Sequence, residues 1–171
     1  MKFYQESIHA DHEALTAVRA IYRWYGVKFR LRWDSHESHS SPSDGEIQIG
    51  LVDRGGDPMT VQEVLSAALH ELSHVFAYQS GKYIHYHSRH PFSDVRGNIL
   101  AIKTAVRAEH YVDREAKKMM EIFFPGIPHK KSYTKKAVLW FKEEWLAQWK
   151  LALAEYIAEK GTLNVLRKTS Q

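Results

Sequence analysis

The chain contains no cysteine among its 171 residues, which excludes both a disulfide framework and a cysteine zinc ribbon. A metal held by this chain must therefore use histidines and carboxylates. Apolar runs approaching the roughly 18 residues of a membrane span are also missing, so no membrane partner is expected. Met1 to Ser7 include no apolar stretch of the kind found in a secretory signal, and a cytoplasmic protein is the simplest expectation. Charge of one sign is scarce too. Lys and Arg number 24 against 20 Asp and Glu, and the net +4 permits nucleic-acid contact without favouring it. Repeats, low-complexity tracts and linkers are absent. The expectation is one domain over 1–171, with a core at 11–125, a helical extension at 130–161 and a loose tail at 162–171.

What the chain does have is helical and strand periodicity in a clear order. Ala14, Leu15, Val18, Ile21, Tyr22 and Tyr25 recur at helical spacing over 11–25, with Asp11 placed to cap the start and Gly26 to end it. Residues 27–33 alternate apolar and basic, which predicts a strand with one buried face and one cationic face (Lys28, Arg30, Arg32). A polar stretch, 34–45, precedes a second alternating strand over 46–52, expected to pair with the first. Thr60 and Glu63 then fit a capping box that opens a helix running to Gly81. Residues 82–91 are rich in His and Tyr and read as loop. A long helix is expected over 94–124, stopped by Pro125-Gly126, and a last one over 134–160 with Val138, Phe141, Trp145, Trp149, Ala152 and Tyr156 on one stripe.

The capped helix carries His70-Glu71-Leu72-Ser73-His74, the pattern H-E-x-x-H. Residues four apart share a helix face, so both imidazoles can bind one metal ion while Glu71 reaches a water on its open side. Zinc needs a third protein ligand. On the next long helix the inward stripe runs Ile99, Ile102, Val106, Glu109, Asp113, Ala116, Met120 and Phe123. Carboxylates on an inward stripe are costly unless a cation or donors meet them. Glu109 is therefore the candidate third ligand, and Asp113, one turn on, the acceptor that holds a ligand histidine's other ring N–H. The competing reading pairs these two acids with Arg107 or Lys117 at the surface.

His70-Glu71-x-x-His74 followed by Glu109-x-x-Val112-Asp113-x-x-Ala116 resembles the gluzincin arrangement, most of all that of small ImmA/IrrE-like metallopeptidases. The match covers about 46–123; Val112 replaces a small residue, and the 134–160 helix has no counterpart. The resemblance implies an α+β fold: a minimal zincin-like domain, with a small twisted sheet packed on the H-E-x-x-H helix and on a second, ligand-bearing helix. It also implies that strand 46–52 is the edge above the cleft, to which a peptide would add. The implied activity is a zinc-dependent metalloendopeptidase acting on a protein or peptide substrate, with Glu71 as general base for a zinc-activated water. Candidate oxyanion donors are Tyr111 and the loop residues Tyr86 and His90, with Tyr83, His85 and His87 beside them.

Two other readings compete. SprT-like proteases, which act on proteins attached to DNA, resemble this chain in placing a loop histidine after H-E-x-x-H. His90, or His85 or His87, would then be the third ligand, and the basic strand face with Lys130, Lys131, Lys135 and Lys136 would suit a phosphate backbone. The third reading is a non-catalytic binding or regulatory module with a zincin shell, using the Trp-rich last helix (Trp140, Trp145, Trp149) as its contact surface.

Overall fold

A computed structural model describes residues 7–8, 12–82 and 95–131, together with positions 143, 147, 150, 154 and 158; for residue 12 and residues 95–105 it describes the backbone alone. The chain divides into two compact units, one made of 1–84 and 108–132 and the other of 85–107 and 133–171.

The first unit opens with α1, His12–Trp24, which buries Ala14, Leu15, Val18 and Tyr22. Gly26, at a φ of 67°, ends it where the backbone reverses and Val27 N–H bonds the Tyr22 carbonyl at 2.9 Å. The expected cap, Asp11, lies outside the described residues. Then come β1 (Lys28–Arg32), β2 (His39–Ser41) and β3 (Glu46–Gly50). Phe29 and Leu31 of β1 are half-buried between exposed Lys28, Arg30 and Arg32, and Ile47 and Ile49 of β3 are buried. The two patterns have the strand period of two.

The sheet order is β1-β3-β2. β1 and β3 run parallel, from Lys28 opposite Glu46 to Arg32 opposite Gly50, and β2 pairs antiparallel with β3, His39 opposite Gln48. This overturns the expectation of an edge position for 46–52, because β3 is the central strand with a neighbour on each side. β2 falls in the segment read as a polar stretch. His39-Ser40-Ser41 has no apolar alternation to announce a strand, and its backbone pairing with β3 defines it. Gly50 is required at its site: a Cβ there would meet the Ser35 carbonyl oxygen at 2.5 Å.

α2, Val61–Gln79, starts at the capping box: Glu63 N–H donates to Thr60 Oγ1 at 3.3 Å, and Thr60 N–H donates to Glu63 Oε2 at 2.9 Å. It is buried on nearly every side, including Val64, Leu65, Leu69, Leu72 and Val75. A helix buried on most of its sides, polar residues included, belongs in the middle of a core. The Tyr22 hydroxyl donates to the Ala68 carbonyl at 2.8 Å and ties α1 to α2. α3, Val95–Phe123, is a continuous helix whose later part adds Ala116 and Met120 to the same core. The described residues therefore form a mixed α+β structure. Among them no helix is long and apolar enough to cross a membrane.

In the second unit, the described parts are the first turns of α3 and the five positions from 143 to 158. All five are helical and exposed, at the spacing of three and four that one side of a helix requires. The apolar stripe expected over 134–160, and Trp140, lie outside the described residues.

Candidate metal centre

His70 and His74 stand one turn apart on α2, and Glu109 reaches them from α3. The Nε2 atoms of the two histidines are 3.2 Å apart, with ring centroids at 4.9 Å and planes at 77°. Glu109 Oε2 lies 3.2 Å from His70 Nε2 and 3.5 Å from His74 Nε2. The three side chains are 2%, 8% and 14% exposed. A tetrahedral ion with bonds of 2.0–2.1 Å separates its donors by about 3.3 Å, and the observed triangle has edges of that length.

The same atoms make a poor hydrogen-bonded cluster. Glu109 Oε2 is buried and forms no hydrogen bond of acceptable geometry, although two imidazole nitrogens stand within 3.5 Å of it. Three donor atoms that converge on a point, with the carboxylate oxygen among them left without a hydrogen-bond partner, are what a cation requires. The group His70, His74 and Glu109 could therefore hold a metal ion.

Burial works against charge on both His70 and Glu109, yet their mutual contact overrides it. The carboxylates of Asp113 and Glu109, with the charge of Glu71 behind them, raise the His70 imidazole to about 9. The two imidazoles in turn lower the Glu109 carboxyl to about 2. Without a metal the site would hold a proton on His70 and a negative charge on Glu109.

Asp113, one turn beyond Glu109, places Oδ1 3.9 Å from His70 Nδ1. The same oxygen accepts a hydrogen bond from His129 Nε2 at 2.9 Å. Glu71 is 8% exposed and lies outside the donor triangle, and its charge acts on both His70 and the buried Tyr22 hydroxyl. Tyr111 is not brought to the group. It sits two residues from Glu109, about 200° round the helix, and its hydroxyl accepts from Lys82 Nζ at 3.0 Å. Tyr86 and His90, with Tyr83, His85 and His87, lie outside the described residues. Arg107 is exposed, and the expected surface alternative for Lys117 is taken by Glu121, at 3.8 Å.

His129 escaped the sequence reading. It follows the Pro125-Gly126 stop in a stretch without periodicity, and only the return of the chain in three dimensions brings it to Asp113. Of the three strand cations, Lys28 and Arg32 have acidic neighbours, and Lys135 and Lys136 lie outside the described residues. Arg32 bonds Asp34 at 2.8 and 2.9 Å, Lys28 lies 3.9 Å from Glu46, and Lys130 pairs with Glu63. Comparison with protein-family models, curated proteins and solved structures found no match to this chain.

Proposed function

We propose that the chain is a zinc-dependent metalloendopeptidase of the gluzincin type, with a minimal zincin-like first unit. The observation that carries this reading is the buried triangle of two imidazole nitrogens and one carboxylate oxygen, with edges of 3.2 to 3.5 Å. Two histidines and one carboxylate, leaving a fourth position free, are the donor set of a catalytic zinc site. Zinc bound there would act as a Lewis acid on a peptide carbonyl and lower the pKa of its water toward about 7.

The chain's own residues supply the rest. His70, His74 and Glu109 hold the ion, and Asp113 backs His70. Glu71, next to the first ligand, is the general base that takes a proton from water and passes it to the leaving amine. Glu109 closing the triangle favours this reading over the SprT-like one, whose third ligand would be a loop histidine.

The test is Glu71→Gln in the full chain, measured by zinc stoichiometry and by cleavage of a proteome-derived peptide library. The variant should keep one zinc per chain and lose cleavage by about 10²–10⁴-fold. Cleavage at the wild-type rate in Glu71→Gln would overturn the catalytic assignment. Bound zinc with no cleavage by the wild type would leave the non-catalytic binding module in its place.

A further inference from the structure

Gln62, Ser66, His70 and His74 repeat every four residues along α2, so they share one side of the helix. The later pair supplies two metal donors. The earlier pair holds the chain that follows α3. Gln62 Nε2 donates to the Pro128 carbonyl at 2.8 Å, and the Lys130 N–H donates to Ser66 Oγ at 2.9 Å. Lys130 Nζ adds an ion pair with Glu63. His129 is thus clamped from both sides onto the ligand helix, and its side chain is 3% exposed.

The clamped imidazole does one visible thing. Its Nε2–H donates to Asp113 Oδ1 at 2.9 Å, while its Nδ1 is buried with no hydrogen-bond partner. A leucine would fill similar space and bury no unsatisfied nitrogen of its own. Packing therefore does not explain a histidine here, whereas a donor aimed at Asp113 does. For His70 to offer Nε2 as a lone pair, its proton must sit on Nδ1, and that proton needs a fixed acceptor. Asp113 Oδ1 stands on that side of the ring, and the bond from His129 keeps the carboxylate from turning away.

We propose that His129 is a positioning residue for the metal centre: through Asp113 it fixes the orientation and tautomer of His70. The proposal rests on the metal-binding reading above and extends the centre beyond its three donors to a strap of chain (128–130) bonded to the same helix.

The experiment measures zinc affinity of the full chain by competition with a chromophoric chelator, with thermal unfolding of the metal-free forms as the check on folding. Wild type should bind one zinc. His129→Leu and Asp113→Asn should each weaken binding by about 10–100-fold. His129→Gln, which keeps an N–H donor at similar reach, should recover most of the loss. If His129→Leu fails to fold, His129→Asn, polar but too short to reach Asp113, takes its place with the same expected loss. Unchanged affinity in a folded His129→Leu or His129→Asn overturns the proposal while leaving the metal reading intact. An equal loss in His129→Gln also overturns it, since that would mark a packing role. A wild type that binds no zinc overturns the metal reading and this inference together.

Discussion

Along β1 and its turn, Lys28 faces Glu46 at 3.9 Å and Arg32 bonds Asp34 at 2.8 Å, with every one of these side chains at least 45% exposed. Between α2 and α3, His70, His74, Glu109 and Asp113 crowd as many ionisable groups together with no side chain more than 14% exposed. The separations are alike, and the consequences are not. At the sheet, water solvates each charge and screens the pair, so the contacts weigh little on stability. At the helix pair, water is excluded, each group depends on its neighbours, and imidazole and carboxylate pKa values move apart by several units. Burial, more than pairing distance, separates a decorated surface from a site.

The strongest way to break this comparison is Glu109→Gln. Removing the only anionic donor of the triangle should weaken zinc binding well beyond about a hundredfold, more than is usual for an outer partner. A calorimetric titration checks it, and near wild-type affinity would place the third ligand elsewhere. A second test sharpens the comparison through pH. His70 is raised from 6.5 to about 9 in the metal-free protein, so the stability it contributes is full below pH 6.5 and lost as pH rises through 9. Glu109 is lowered from 4.5 to about 2, so its contribution is full above pH 4.5 and lost as pH falls through 2. Metal-free stability should therefore decline from pH 6.5 to 9. Zinc affinity should rise over the same range, by about tenfold per unit, as the competing proton leaves His70. Denaturant unfolding and chelator competition across that range read the two slopes, and parallel slopes would contradict the assigned pair. The smallest effect belongs to the sheet. Lys28→Ala should change unfolding free energy by less than about 0.5 kcal/mol and leave zinc affinity unaltered.

Much of the first unit was legible because its signals are local. Alternation over 27–33 and 46–52 marked β1 and β3, and Thr60 with Glu63 marked the start of α2 within a single turn. Helical phase alone put His70 beside His74, and Glu109 beside Asp113, on shared faces. The strand order was not legible: β2, with no apolar residue, left no trace in the hydrophobic pattern, and the edge position of 46–52 was only what the family resemblance implied. His129 was hidden for a related reason, since a residue in irregular chain has no phase by which to infer what it faces.

Composition and spacing alone determined that any metal here must be bound by nitrogen and oxygen, and that two histidines and two acids occupy matched faces of two helices. Those properties depend on residue type and on the fixed 3.6-residue turn, which operate over a few neighbours. Only the tertiary structure decided that the two faces meet at 3.2 to 3.5 Å, that β3 lies between its partners, and that residues 128–130 return to α2. Such separations follow from how the whole core packs, and no short stretch of chain encodes them.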